Sequence, residues 1–336
     1  MSSLLFVNGQ VRALEPKLLD VNRLDRMIGA TSPEDAFRVL VELQYAEYFD
    51  ESTKAQDFAQ IIQQGLQETK ALLSSGTDNH LGLRFLWLEF DLNNLKRALK
   101  LKHLKGDSSL EVFSEAEGFS PLGNLSQEDL SAGVFEDRFG EHFPEAFVEV
   151  VRQAESILEA HEHNFRFVEF ACDQAYFTLL QDIVAQTKNE FLKKLLVLKA
   201  DLANIRMVAR NILVLEEALP KEAFIQFGNL QNASWAELKD FSEFLKHIKQ
   251  TSFWAVAEDL SEDQTPEENI HSFEKALDKA YGRFLHDAQE GEIDSIGVAF
   301  HYFERRLQNA RLLKFVMFAK FHGLDPEVIY KTLEQL

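Results

Sequence analysis

The hexapeptide Asp91-Leu92-Asn93-Asn94-Leu95-Lys96 returns 110 residues later as Asp201-Leu202-Ala203-Asn204-Ile205-Arg206. The same offset relates Ala36 in Pro33-Glu34-Asp35-Ala36-Phe37 to Ala146 in Pro144-Glu145-Ala146-Phe147. An offset of 105 relates Gly123-Asn124-Leu125 to Gly228-Asn229-Leu230, Asp173-Gln174-Ala175-Tyr176 to Asp278-Lys279-Ala280-Tyr281, and Asn204 to Asn309. Self-similarity at a fixed period marks duplicated units that bury their faces against one another. The expected organisation is three related units, 1–118, 119–225 and 226–336. A ring, a funnel and a solenoid all accommodate three such units, and the repeat does not choose among them. Two copies depart from the pattern. Arg306 stands where the others have Asp91 and Asp201, and Tyr45 lies 49 residues before Asn94, whereas Tyr176 and Tyr281 lie 28 before their asparagines. The second departure predicts a rearranged first unit or an insertion around residues 50–82.

The units are helical. Ser32-Pro33-Glu34-Asp35 and Thr265-Pro266-Glu267-Glu268 each combine an N-cap, a first-turn proline and carboxylates at the positive end of the helix dipole. Asp325-Pro326-Glu327 starts a last helix in the same way, and Pro144 with Glu145 fits with Phe143 as an unusual cap. Ser126 with Asp129, and Ser234 with Glu237, predict two more capped starts. Between the caps the apolar period is that of a helix: Phe191, Leu195, Leu198, Leu202, Ile205 and Ala209 recur every three or four positions. No run of strict alternation between turn signals predicts a strand. The fold class is therefore all-α, with the 29 phenylalanines filling core stripes.

A net charge of −20 at pH 7 excludes the classes that need a basic face, nucleic-acid binders and polybasic membrane binders. The only cysteine, Cys172, permits no intrachain disulfide and points to an intracellular chain. Its apolar neighbours and lack of an adjacent base predict a buried structural thiol rather than a nucleophile. The N-terminus has no basic stretch before a long apolar run, and the most apolar segment, Leu312–Phe321, is interrupted by Lys314 and Lys320. No signal peptide or spanning helix is expected.

The usual sites of helical enzymes are missing. No D-D-x-x-D cluster offers to hold magnesium and pyrophosphate, and no P-loop or G-x-S-x-G elbow occurs. A di-iron bundle needs two Glu-x-x-His pairs, and only Glu268-Asn269-Ile270-His271 qualifies, in a predicted first turn. In Glu159-Ala160-His161-Glu162-His163 the two histidines are two apart and face different sides of a helix. That cluster reads as a solvated helix end. No catalytic, cofactor or metal residues are assigned.

The repeated Asp-x-x-Asn remains. Residues three apart share a helix face. A carboxylate and an amide there suit the backbone groups of a neighbouring helix end. On that reading Asp91, Asn94, Asp201, Asn204 and Asn309 are structural repeat positions. The alternative is that these helices line a shared surface on which Lys96, Arg97, Lys100, Arg206, Arg210, Arg305, Arg306 and Arg311 meet an acidic partner.

Three stretches resemble one known family. They are Val11-Arg12-Ala13-Leu14-Glu15 with Leu18-Leu19, Leu24, Ser32 to Ala36, Leu40 and Tyr45; the Asp-x-x-Asn-aliphatic-basic helices at Asp91 and Asp201; and Asn309 to Lys320 followed by Gly323-Leu324-Asp325-Pro326-Glu327 and Tyr330. The chain is similar in these to the C subunit of the archaeal and bacterial V-type (A-type) ATP synthases, the equivalent of the d subunit of the eukaryotic vacuolar proton pump (V-type ATPase). The resemblance implies a funnel of three similar helical domains with pseudo-threefold symmetry and a rotor part with no catalysis of its own. It implies as partners the D and F subunits of the central stalk and the membrane proteolipid ring. Its expected place is cytoplasmic, peripheral on the inner face of the membrane. No cofactor, small-molecule substrate or nucleic acid is expected. A free-standing helical scaffold or adaptor on the same fold is the alternative. Besides Arg306, the segment Asp107–Gly123 departs from the family by its irregularity.

Overall fold

The computed structural model describes residues 4–43, 45–48, 53–75, 80–105, 118–215, 219–230, 232–290 and 295–335. Most of the irregular stretch 107–123, residues 107–117, lies outside them, as do parts of the anticipated insertion, 50–52 and 76–79. The described residues form α-helices joined by short 3₁₀ turns, and among them there is no strand. None of their helices is long and apolar enough to cross a membrane. By compactness the chain divides into two units, residues 1–80 with 282–336, and residues 81–281.

The first unit is built on α1 (Leu4–Leu14), α2 (Val21–Gly29), α3 (Pro33–Arg38) and α4 (Phe58–Ser74) from the N-terminal part of the chain. The long helix Ile296–Phe321 packs against all four, and Pro326–Gln335 packs on α2. Ile296–Phe321 is buried around its whole circumference over its first two turns, where residues 296–303 are all buried. A helix apolar on every side must sit inside a core, and this one does. Polar ties hold its ends. Asn8 Nδ2 donates to Ser295 O (2.9 Å) and Lys320 Nζ donates to Ile28 O and Ala30 O, while on the following helix Tyr330 Oη donates to Asp25 Oδ1 of α2 (2.9 Å).

The second unit runs through α5 (His80–Lys105), α6 (Gln127–Glu136), α7 (Glu145–Ala160), α8 (Arg166–Thr187), α9 (Glu190–Arg210), α10 (Asn232–Ala236), α11 (Phe241–Ile248) and α12 (Pro266–Gln289), the last from Gly282 onward counted with the first unit. In full order, Ile296–Phe321 is then α13 and Pro326–Gln335 is α14. Helices α7 and α8 form the closest pair of this unit, and α9 packs on α8. The apolar face of α9 joins Trp235, Phe244 and Phe273 in one core cluster. Cys172 is buried within α8, and desolvation pushes its thiol up to about 12, as a structural thiol requires.

The helix starts follow the sequence closely. Ser32 Oγ accepts from Asp35 N (3.1 Å), Ser126 and Asp129 cap one another reciprocally, and so do Thr265 and Glu268. Two starts are corrected. Helix α7 opens at Glu145 with Pro144 itself as N-cap, because Pro144 takes an extended rather than a helical backbone. Ser234 does not cap a helix; it lies inside α10, and its hydroxyl meets His247 Nε2 at 3.2 Å.

His301, on α13 in the first unit, is buried beside the ring of His286, with Arg305 and Arg12 also acting on it. Burial, then Arg305, His286 and Arg12, lower it from its usual 6.5 to about 4. A lowered histidine stabilises the fold fully above its unfolded value, and that contribution is lost as pH falls. The expected outcome is a loss of thermal stability between pH 6.5 and about 4 that is steeper in the native chain than in His301→Gln, measured by circular dichroism melts at matched pH.

Candidate functional site

The two fragments found separately in the sequence meet in space. On α5, Asp91 Oδ1 accepts from Leu125 N (2.9 Å), and its Oδ2 accepts from Asn124 Nδ2 (2.8 Å). One turn on, Asn94 Nδ2 donates to Ser120 O (2.8 Å) and Asn94 Oδ1 accepts from Ser120 N (2.9 Å). On α9, Asp201 Oδ1 accepts from Leu230 N (3.0 Å), while Asn204 Nδ2 donates to Ile225 O (2.8 Å) and Asn204 Oδ1 accepts from Ile225 N (2.9 Å). All four side chains are buried. Each helix thus clamps the loop that follows it by pairing backbone groups that water cannot reach. The loops carry Gly123-Asn124-Leu125 and Gly228-Asn229-Leu230, and a Cβ at either glycine would fall on the aspartate Oδ1. Burial raises the Asp201 carboxyl, and the Leu230 and Asn229 N–H groups oppose that rise.

The third copy is α13. With its amide placed by its hydrogen-bonding surroundings, Asn309 accepts from Leu19 N (2.7 Å) and donates to Arg305 O (3.2 Å). Leu19 precedes Asp20, which caps α2, so the clamp again holds the approach to a helix start. Here the loop comes from the opposite end of the chain, within the same compact unit. Arg306 takes the place of the aspartate and is 2% exposed. Its Nε donates to Thr69 Oγ1 and its Nη2 to Gly65 O, both 3.2 Å, and the guanidinium lies 5.0 Å from the Tyr45 ring centroid. Thr69 and Gly65 belong to α4, which occupies the stretch where an insertion was anticipated. Arginine reaches α4 where a short carboxylate does not.

Of the eight basic residues considered for a partner, four are engaged inside the chain. Lys96 pairs with Asp173 (2.6 Å), Arg206 with Glu274 (2.6 Å) and Asp278 (3.3 Å), Arg210 with Glu274 (2.6 Å), and Arg306 is buried as described. The pairs Lys96–Asp173 and Arg206–Asp278 occupy matching repeat positions, each joining a clamped helix to the helix bearing a repeated tyrosine. A third pair was not foreseen. Lys199 Nζ meets Glu89 Oε2 (2.6 Å) and lies 5.3 Å from the Tyr281 ring centroid. Burial lowers Lys199, but Glu89 and the hydroxyls of Tyr176 and Tyr281 outweigh it and raise it well above the ordinary lysine range. The matching positions 89 and 199 carry opposite charges, which no single-copy reading reveals. Arg97, Lys100, Arg305 and Arg311 are exposed. Lys100 Nζ lies 5.9 Å from the Phe165 ring centroid.

The cluster at the end of α7 is an exposed turn, with Glu162 and His163 at φ of 52° and 61° and the His161 ring stacked on Phe167. Asn269, from the Glu-x-x-His stretch, is a further buried clamp: it donates to Ser261 O (2.8 Å) and accepts from Ser261 N (3.1 Å).

The described residues define an all-α protein whose repeated polar side chains hold its own loops. The chain matches the ATP synthase (C/AC39) subunit family over residues 7–332, and it belongs to that family. It is similar to the C subunit of the A-type ATP synthase of Methanocaldococcus jannaschii, with 22% identity over 349 residues that cover 98% of this chain and 86% of the relative.

The clamps predict a stability signature. Asn204→Ala removes two hydrogen bonds to the Ile225 backbone and is expected to cost about 1–3 kcal/mol. Gly228→Ala drives a methyl into the Asp201 carboxylate and is expected to cost about 1–3 kcal/mol by overpacking. Lysine at exposed Arg311 is expected to change stability by under about 0.5 kcal/mol. Urea unfolding of the three variants checks this order.

Proposed function

We propose that this chain is the non-catalytic rotor subunit of a V-type/A-type rotary ATPase. It couples the central stalk, with its D and F subunits, to the membrane proteolipid ring for ion transport linked to ATP synthesis or hydrolysis. Family membership supports the complex. The single observation that carries the coupling role is the clamp at Asn94, Asn204 and Asn309, the last bonded to Leu19. Two copies of one device and a third that keeps half of it, in which Asn309 only accepts from Leu19 N, fit three pseudo-threefold helical units, 1–118, 119–225 and 226–336. A body that passes torque must not open locally, and local opening is costly where loop backbone is bonded to buried side chains.

On this reading the protein is cytoplasmic and peripheral at the inner face of the membrane, and needs no cofactor, small-molecule substrate or nucleic acid. The exposed Arg97, Lys100, Arg305 and Arg311 form its stalk-facing set, because Lys96, Arg206, Arg210 and Arg306 are used internally. The test is recovery of the tagged chain from its own solubilised membranes, with partners identified by mass spectrometry. The stalk proteins and proteolipid are expected with the native chain, and the stalk proteins are expected to be lost with Arg305→Glu/Arg311→Glu at unchanged melting temperature. Recovery indifferent to those changes overturns the stalk-facing set and leaves the coupling role. A monomer without rotary-complex partners overturns the role and favours a free-standing scaffold or adaptor.

A further inference from the structure

The repeat offsets of 110 and 105 bring Lys96, Arg206 and Arg311 to one position on α5, α9 and α13. The first two of these cations are each met by a helix that carries glutamate, aspartate and tyrosine at the same spacing. These are Glu169, Asp173 and Tyr176 on α8, and Glu274, Asp278 and Tyr281 on α12. Asp173 pairs with Lys96 (2.6 Å), and Glu274 and Asp278 pair with Arg206 (2.6 and 3.3 Å). Glu274 also reaches Arg210 (2.6 Å), whereas Tyr281, further along α12, lies beside Lys199. Successive residues of α12 thus meet earlier positions of α9, so the two helices run antiparallel.

The third copy lacks this covering helix. Seven and three residues before Tyr45, where the other copies have glutamate and aspartate, stand Arg38 and Glu42. Arg38 has the wrong sign. Glu42 ends a 3₁₀ turn, and both its oxygens are taken by the Arg26 guanidinium at 2.6 Å. Among the described residues no carboxylate pairs with Arg311, which is exposed where Lys96 and Arg206 are partly buried. Helix α4 does not take the place either. It is held by Arg306, five residues before Arg311 and so about 140° away around the helix. In a chain of net charge −20, α13 has one carboxylate, Glu304, against Arg305, Arg306, Arg311, Lys314 and Lys320.

We infer that the face of α13 at Arg311 is a docking site for an acidic helix of a partner protein, laid antiparallel to α13, whose paired carboxylates hold Arg311 as Glu274 and Asp278 hold Arg206. The occupant is a helix because both filled copies are helices. It is acidic because the position is cationic in all three copies and a guanidinium selects carboxylates in pairs. The inference deepens the stalk-facing reading of Arg311 and rests on it for where the partner comes from. The probe contains no rotary subunit, so the two readings fail separately.

The probe is a fluorescein-labelled peptide of α12, Pro266–Gln289, held helical by a side-chain staple, and binding to the full chain is read by fluorescence anisotropy at low ionic strength. The native chain is expected to bind it. Arg311→Gln in the chain, or Glu274→Gln/Asp278→Asn in the peptide, is each expected to weaken binding about tenfold. The two changes together are expected to cost no more than either alone, as for partners in one contact. Lys331→Gln, an equal charge change at an exposed site on α14, is expected to leave affinity within about twofold. Melting temperatures establish that each variant folds. Absence of binding, or binding that Arg311→Gln and Lys331→Gln change equally, overturns the inference and leaves the rotor reading standing. So do losses that add when chain and peptide are both changed. Binding with the expected pattern, in a chain that recovers no rotary partners from membranes, keeps the docking site and discards the rotor reading.

Discussion

A loop packed against a helix has backbone N–H and C=O groups that neither water nor the helix ladder can pair. Each one left unpaired costs about as much as a typical destabilising mutation. This chain solves that problem with one device used repeatedly, a buried asparagine that both donates to and accepts from one residue's backbone. Asn94 does so for Ser120, Asn204 for Ile225 and Asn269 for Ser261. Asparagine is the short side chain that can do both at once, since aspartate only accepts and serine reaches less far. The aspartate one turn before adds acceptors for the next loop residues, and the loop glycine makes room for it. These bonds act together with the apolar core that helix α9, the loop residue Phe224 and Trp235 of the following helix share.

The third copy shows what changes when a neighbour changes. Helix α4 presents Gly65 O and Thr69 Oγ1 to α13, and both are acceptors toward the arginine. An aspartate facing Gly65 O would put charge against oxygen, and the one donor there, the Thr69 hydroxyl, is already given to Gly65 O. Arg306 reverses the polarity, and the Tyr45 face beneath the guanidinium supports the cation where bulk water is excluded. The tyrosine that breaks the spacing rule and the arginine that breaks the Asp-x-x-Asn rule are therefore two halves of one substitution.

That pairing explains what could be read from the sequence. The all-α class followed from capped helix starts at Ser32, Ser126 and Thr265, whose signals are local. The clamps were half legible: Asp91, Asn94, Asp201 and Asn204 stood out as repeats, and so did Gly123-Asn124-Leu125 and Gly228-Asn229-Leu230. Nothing local joined the two fragments, because the contact closes a loop. Asn309 was visible as a copy, but its partner Leu19 lies at the far end of the chain, where no fixed offset points. Ser234 was misread because Ser-x-x-Glu is a cap only if the serine backbone is extended, and here it continues a helix. The basic residues were least legible. Lys96 and Arg206 look alike on a helical wheel to Arg97 and Arg305, and only the positions of Asp173, Glu274 and Asp278 separate the engaged from the exposed.

Paired charges inside such a body act on register more than on net stability. Lys96–Asp173 is partly buried and Arg206–Asp278 has an exposed carboxylate, and pairs of that kind contribute little to net stability. Yet each joins a clamped helix to the tyrosine-bearing helix at matching repeat positions, and Lys199 joins Glu89 across two copies of one position. A slip of either helix by one residue would break these pairs. The clamps fix loops to helices and the charge pairs fix helices to one another. Within each compact unit the two devices together oppose internal shear, since a shift of one helix has to break both buried backbone bonds and charge pairs.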